Sequence, residues 1–396
     1  MVELNTNVVF VKGALRGAIY NLQTGDVYSI NETAVEIIDR YVKTGERHEF
    51  LYNLNGEGLL AFDFQPSMYK PSKVEVKPNT VWYELTQKCN MRCLHCYEGN
   101  EHRQGDCRLS IEEWYNITRQ LKKADVGRII LIGGEPTLFD QIKNLILFLH
   151  DEKIATTLFT NTYAINNDLM DVIFKAKPEV KVSLYGVTAD VHDSITGVIG
   201  SFNKLIATIK DLGDAGIEVN VAVTVMKENE HHQDLFSDFL SKLPIHRYKL
   251  DMIRKVKNGA QDDHIPTSTN LRKSWYRVKP NFYANKEIFD RNIRYNSCWY
   301  GKMVVTENGL VLPCVFARNH VVGNIRENTV QEILSKGSAL HNLWCESVSK
   351  INQCAFCEYR YACVDCRPLA ESYCDMESKN PRCLYNPPKG EWDDVP

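Results

Sequence analysis

This chain of 396 residues has no apolar run that approaches the length needed to cross a bilayer. Its opening residues, MVELNTNVVFVKG, lack the charged-then-apolar profile of a secretion signal, so the expected compartment is the cytoplasm. A surplus of either charge is also missing. The 47 Lys and Arg against 50 Asp and Glu leave a formal charge of −3, which excludes bulk electrostatic binding of nucleic acid or an anionic membrane. What the chain does have is cysteine. Thirteen cysteines, an odd number with several at C-x2-C spacing, fit metal ligation in a reducing compartment better than a disulfide framework. The length allows two or three domains and a large core.

The middle of the chain alternates strand and helix. Strand signals at 81–86, 128–132, 155–160, 180–185, 218–225 and 247–253 are separated by helical patterns at 139–152, 167–176, 202–212 and 232–243, and by a helix that starts at Ser110. Glu113, three residues after Ser110, completes a capping box, and Ile111, Trp114, Ile117 and Leu121 share one face. Short connections make the strands parallel with right-handed crossovers. Six β/α units cannot close an eight-stranded barrel, so the expected fold is α/β, a partial (β/α)6 barrel with its ligands at the carboxyl ends of the strands.

One cysteine group falls just after the first of these strands. Cys89, Cys93 and Cys96, in ELTQKCNMRCLHCYEGN, can hold only three corners of a cubane, so a [4Fe–4S] cluster there would keep one iron without a protein ligand. A zinc site completed by His95 or His102 is the alternative on spacing alone. After the second strand comes Gly133-Gly134-Glu135-Pro136. Its glycines allow close backbone approach to a ligand, Glu135 offers an acceptor and Pro136 stiffens the turn. Thr160-Asn161-Thr162 follows the third strand, and Ser183 and Tyr185 lie at the end of the fourth. Occurring in this order at successive strand ends, these motifs resemble the radical S-adenosylmethionine (SAM) superfamily. The resemblance implies that the open iron chelates the methionine moiety of SAM. It also implies that the GGEP segment meets the SAM amino group, and that Asn161 and Ser183 reach its carboxylate or ribose hydroxyls.

A second constellation occupies the last hundred residues. Cys298, Gly309 and Cys314 precede Cys354-x2-Cys357-x5-Cys363-x2-Cys366, with Cys374 and Cys383 beyond. A pair of zinc knuckles suits C-x2-C pairs equally well. With the upstream motif present, the pattern resembles the SPASM extension of radical SAM enzymes, which carries two auxiliary [4Fe–4S] clusters. The resemblance implies that the second cluster takes Cys354, Cys357, Cys363 and Cys383, with Cys374 competing for the last place. The first takes Cys298, Cys314 and Cys366, with either Cys345 as its fourth ligand or an iron open to a substrate thiolate. Val364 and Asp365 put two residues, rather than the commoner three, between the last pair of the central group. Cys107, in the polar run EHRQGDC, reads as a free thiol as readily as anything else.

The N-terminal residues form a separate module, with strands at 8–11, Gly17–Asn21 and Val27–Ile30 and a helix from about Glu32. Pro66, Pro71 and Pro78 mark a tether. The expected domains are a module at 1–65, a linker at 66–78, the barrel at 79–255, a bridging region at 256–295 and a cysteine-rich domain at 296–396. The first module resembles the winged-helix-like precursor-peptide recognition element of enzymes that modify ribosomally made peptides, although the stretch after Gly45 is short for its full helical set. The resemblance implies that a leader peptide pairs along Val27–Ile30, because an exposed edge captures an extended chain through main-chain hydrogen bonds.

Together the resemblances imply three [4Fe–4S] clusters, SAM, and a flavodoxin- or ferredoxin-type electron donor. The chemistry they imply is one-electron cleavage of SAM to a 5′-deoxyadenosyl radical, followed by hydrogen abstraction from a peptide carbon. The expected product is a Cys-to-carbon thioether. Carbon–carbon or carbon–oxygen links, or oxidation of a protein Ser or Cys, are the alternatives.

Overall fold

The computed structural model describes residues 1–99, 108–254, 262–276 and 281–395. The chain divides into two compact units, each assembled from separate stretches. One joins Met1–Val76, Lys273–Tyr300 and Leu343–Pro396, and the other joins Lys77–Arg272 and Gly301–Asn342.

In the first unit, β1 (Val2–Asn5), β2 (Val8–Lys12), β3 (Gly17–Asn21), β4 (Val27–Ile30) and β5 (Ser67–Met68) pair antiparallel in the order β4-β3-β2-β1-β5. Residues Val8 to Val11 are all buried because both faces of this sheet are covered, so the strand reads as an unbroken apolar run. On one face Val8, Phe10 and Ile19 meet Val35, Ile38 and Leu51 from helices Glu32–Thr44 and Glu49–Gly56. On the other, Val9, Val11 and Tyr20 meet Phe289 of helix Lys286–Arg294 and Tyr361. Each such side chain contributes about 1.5–3 kcal/mol on burial. The first helix starts where Asn31 Oδ1 accepts from the Ala34 amide at 2.9 Å, and it stops at Gly45, whose φ of +75° suits glycine. Strands β1 and β5 are not evident in the sequence, and Val27–Ile30 lies at an edge as expected.

The second unit is built on β6 (Thr80–Glu84), β7 (Arg128–Ile132), β8 (Thr156–Thr160), β9 (Glu179–Leu184), β10 (Val219–Val225) and β11 (Arg247–Met252). These six run parallel in chain order, as the β/α alternation requires. The sheet does not end at β6. A seventh parallel strand, β12 (Lys302–Val305), pairs with it, and β13 (Leu310–Leu312) and β14 (Gly323–Asn324) follow antiparallel. The sheet therefore stays open, with β11 and β14 at its edges. Ser110 and Glu113 form the expected reciprocal cap of helix Ile111–Lys123. Two connections differ from expectation. An additional helix, Ala189–Thr196, precedes Ser201–Asp214, and residues 232–243 form the end of a 3-10 segment, Lys227–Leu235, and a short helix, Phe236–Ser241. Among the described residues no helix is long and apolar enough to cross a membrane.

Candidate functional site

The loop after β6, residues 85–99, carries Cys89, Cys93 and Cys96 at the carboxyl end of the sheet. Its backbone is tied down on three sides. The Leu85 amide donates to Ile132 O (2.9 Å), Gln87 N to Glu307 Oε2 (2.9 Å), and Arg92 N and Leu94 N to Thr196 O and Ile195 O (2.9 and 3.0 Å). Cys93 and Leu94 pack on a cluster of Tyr185, Ile195, Met226 and Ile253. Burial, opposed by the Met91 amide, pushes the Cys89 thiol up to about 11, and the charges of Glu135 and Cys96 add to it. Burial and its two cysteine neighbours raise Cys93 further, and burial raises Cys96. Three mutually repelling, desolvated thiols stay protonated alone and become thiolates when a cation takes their charge. The donor set is soft and fits iron–sulfur ligation. Among the described residues no three His, Cys, Asp or Glu side chains converge on a single-ion site. A cubane separates its thiolates by its own width. The His95 ring stands edge-on to Tyr185 at 4.6 Å, its Nδ1 is buried without a partner among the described residues, and burial holds its pKa down to about 4. His102 and Cys107 lie outside the described residues.

The motifs at the next strand ends close around this loop. Gly134 N donates to Thr86 O (2.7 Å) and Glu135 N to Lys88 O (2.8 Å). A Cβ on Gly134 would stand 2.4 Å from Lys88 O, so only glycine lets the two backbones touch. Pro136 opens the short 3-10 turn Pro136–Leu138. The Glu135 carboxylate is buried and accepts from Thr137 N (3.1 Å), Thr137 Oγ1 (2.6 Å), Thr160 Oγ1 (2.6 Å) and Asn161 N (2.7 Å). Its acceptors thus brace the end of β7 to the end of β8, while burial works to raise its pKa. Asn161 Nδ2 donates to Asn90 Oδ1 at 2.7 Å and lies 3.9 Å from Cys89 Sγ. Thr162, β-branched at φ +69°, is buried with a hydroxyl that has no partner among the described residues, a costly conformation of the kind that clusters at functional sites. Ser183 hydrogen-bonds the Tyr185 side chain, whose pKa is raised by burial and by the charge of Cys93. The Tyr185 amide donates to His192 Nδ1 (3.2 Å), and its carbonyl accepts from Asn229 Nδ2 (2.8 Å). The fold thus brings Cys89, Cys93, Cys96, Glu135, Asn161, Ser183 and Tyr185 into one neighbourhood. Glu307, in the turn between β12 and β13, was not anticipated, because its partner Gln87 lies 220 residues away.

The first unit holds its own cysteine group. Cys354 lies within the turn Gln353–Phe356 and Cys357 ends it. Burial pushes Cys354 up to about 12, with Asp365 and Cys383 adding, and Cys357 feels Glu358, Cys363 and Cys354. Cys366 caps helix Arg367–Tyr373, and Cys374 is exposed at its far end, with Sγ 3.6 Å from Asp375 Oδ2. The buried Arg367 pairs with Asp365 and donates to Met376 O (2.6 Å) and Ser378 O (2.9 Å), which folds the 376–383 stretch back toward 365. The Cys298 amide donates to Asn296 Oδ1 (2.8 Å), and Cys345 lies where its charge acts on Tyr295. Cys314 belongs to the other unit, two residues past β13.

Beside β4 the first unit also contains a groove of about 930 Å³, walled by Val27, Tyr28, Ser29, Tyr283, Tyr385 and Trp392. Its floor includes Phe282 stacked on Tyr359 at 4.2 Å. Asn21 N donates to Asp26 O, so the alternation of an antiparallel ladder turns the main-chain groups of Val27 and Ser29 outward. Tyr283 bridges Asp26 and covers the start of this edge, leaving Val27 and Ser29 beyond it.

Two family models match the chain: the radical SAM superfamily over residues 83–239, and SPASM, an iron–sulfur cluster-binding domain, over 298–366. Among curated relatives, an AdoMet-dependent heme synthase of Methanosarcina barkeri is 24% identical over 345 residues, covering 79% of this chain and 98% of the relative. The subtilosin biosynthesis protein AlbA of Bacillus subtilis is 24% identical over 273 residues, and the match covers 66% of this chain and 60% of AlbA. Among solved structures, SuiB of Streptococcus suis superposes with a TM-score of 0.63 at 16% identity, over 96% of this chain and 100% of SuiB. SuiB bound to its precursor peptide SuiA gives 0.60 at 18% identity, over 96% and 99%. With both family models in register with the cysteine groups and the strand-end motifs, the chain carries a radical SAM domain over residues 83–239 and a SPASM domain over 298–366.

Proposed function

We propose that this chain is a peptide maturase that abstracts hydrogen from a ribosomally made precursor and installs intramolecular thioether links between Cys sulfur and carbon. The observation that carries the reading is the pairing of a three-cysteine loop at the strand ends with an N-terminal sheet that has an open edge above an aromatic groove. In this reading Cys89, Cys93 and Cys96 hold the SAM-binding cluster. The backbone of Gly133, Gly134 and Pro136, with Thr160, Asn161, Ser183 and Tyr185, forms the SAM pocket, and Glu135 braces it. When bound, cluster and SAM supply a carbon-centred radical by one-electron cleavage. The chain's part is positioning and exclusion of water: the apolar cluster of Tyr185, Ile195, Met226 and Ile253 walls the loop from solvent.

The leader pairs at the outward groups of Val27 and Ser29, and its alternate side chains enter the groove between Tyr28, Tyr283 and Trp392. Cys354, Cys357, Cys363 and Cys383 hold one auxiliary cluster. Cys298, Cys314 and Cys366 hold the other, whose remaining iron takes Cys345 or the substrate thiolate that becomes the thioether sulfur. A flavodoxin- or ferredoxin-type protein supplies electrons.

The match over 98% of a heme synthase favours a second reading, in which the substrate is an iron tetrapyrrole. That match leaves about a fifth of this chain uncovered, whereas the fold match to SuiB extends over 96% of it and so takes in most of the N-terminal sheet. This supports the peptide. Co-expression with a Cys-containing precursor, followed by mass analysis, tests it. The expected product lacks two hydrogens per link and resists alkylation at the linked cysteines. The same mass loss with every cysteine alkylatable rejects the thioether in favour of carbon–carbon or carbon–oxygen links. An unchanged peptide together with a consumed iron tetrapyrrole rejects the peptide reading.

A further inference from the structure

Arg318 lies between β13 and β14, four residues past Cys314, on a turn in which Ala317 N donates to Cys314 O (3.0 Å) and His320 N to Ala317 O (3.1 Å). Its guanidinium reaches both ends of the 85–99 loop. At the entrance it donates twice to the buried carboxylate of Glu84, the last residue of β6, at 2.7 and 2.6 Å. At the exit it pairs with Glu98, two residues past Cys96. Between them it sits over the Tyr97 ring, 5.5 Å from the centroid, and that ring meets Phe316 edge-on at 5.6 Å. A cation held by two carboxylates and an aromatic face is well fixed, because the planar fork of Arg matches a carboxylate in a way Lys does not.

We propose that Arg318 is a positioning residue that clamps the two ends of the cysteine loop and sets the electrostatic environment of the cluster that loop holds. The proposal rests on the reading that Cys89, Cys93 and Cys96 ligate a cluster. Three facts carry it beyond an ordinary buried ion pair. The side chain bridges Glu84, five residues before Cys89, and Glu98, two residues after Cys96, and not a remote pair. Its contacts at the exit are Tyr97 and Glu98, the two residues that directly follow Cys96. It also arrives from the segment that carries Cys314, so the loop's geometry depends on a stretch more than 200 residues away in sequence. Removing a fixed positive charge beside an iron–sulfur cluster disfavours the added electron and lowers the reduction potential.

The test uses the full chain, reconstituted anaerobically with iron and sulfide. The readout is an EPR-monitored redox titration of the SAM-responsive cluster in Arg318→Lys, Arg318→Met and the double variant Glu84→Gln/Arg318→Met. The double variant removes both members of the buried pair, so it stays folded if the single variant does not. Arg326→Met, which removes an exposed ion pair with Glu113 from the same stretch, is the control. The expected result is a lower potential in Arg318→Met, partial recovery in Arg318→Lys, an altered SAM-bound spectrum in the double variant at unchanged iron content, and no change in Arg326→Met. Wild-type potential and spectrum in every folded Arg318 variant would overturn the clamp alone. A wild-type protein with no SAM-responsive signal would overturn the cluster reading and the clamp together.

Discussion

The two cysteine groups are held in place by different means. Cys89, Cys93 and Cys96 sit on a loop anchored to the ends of parallel strands by main-chain hydrogen bonds from Leu85, Gln87, Arg92 and Leu94. Cys354, Cys357, Cys363 and Cys383 hang on a four-residue turn, irregular connections and one buried pair, Asp365–Arg367. The first group is organised by its scaffold. The second depends far more on whatever its thiolates bind, because short loops with little core of their own take folding energy from the metal. The chain thereby combines one cysteine group held rigid by its scaffold with one whose order follows what its thiolates bind.

The largest expected effect separates the two directly. Cys93→Ala reduces 5′-deoxyadenosine formation to background, whereas Cys354→Ala leaves SAM cleavage measurable and instead removes hydrogen-exchange protection across 354–383. Stripping iron with a chelator sharpens the contrast. Protection is lost through 354–383, while the amides of β6 to β9 keep theirs. Equal loss in both regions would break the distinction between a scaffolded and a metal-dependent site.

Next in size is Glu135→Ala. Four donors from Thr137, Thr160 and Asn161 lose a buried acceptor, which costs about 3 kcal/mol in urea unfolding of the second unit. His192 gives a pH effect of intermediate size. Burial holds its folded pKa down to about 4, against an ordinary value of 6.5. The unfolded chain therefore binds a proton that the native one refuses, and stability falls as pH drops from about 6.5 to about 4. His192→Gln flattens that slope in melting temperature against pH. The smallest effect belongs to Glu113. A hydrogen bond from Arg326, with further donors from Ser110, holds its carboxyl down to about 2. Its contribution is present above the ordinary carboxylate pKa and disappears as pH falls toward about 2. It is below about 1 kcal/mol because the pair is exposed. The difference in melting temperature between wild type and Glu113→Gln should vanish at the acid end.

The sequence makes the second unit's frame legible because its signals are local. All six strands, the Ser110 cap and the position of the cysteine loop follow from periodicity and spacing. Helix Ala189–Thr196 escapes notice because ADVHDSIT is short and rich in weak helix formers. Strand β12 escapes because its partner β6 lies more than 200 residues away, and 302–324 reads as part of a cysteine-rich tail. The same holds inside the site. Cys89, Gly134, Asn161 and Tyr185 are visible as motifs at strand ends. Arg318 pairing with Glu84, and Glu307 receiving Gln87, are invisible because no local pattern announces a partner 220 or more residues off. Glu135 is visible, but its work is not: a motif glutamate suggests a ligand contact, and the folded chain spends its oxygens on four protein donors. In the first unit the aromatic groove is likewise assembled from residues 27–29, 282–283 and 385–392, which meet only in the fold.

The proposed function rests on SAM cleavage at the loop after β6 and the strand-end motifs around it. The direct measurement is 5′-deoxyadenosine released by the reconstituted, reduced full chain supplied with SAM. Release that depends on Cys89, Cys93 and Cys96 is the expected result. No release from protein carrying its full complement of iron and sulfide would contradict it.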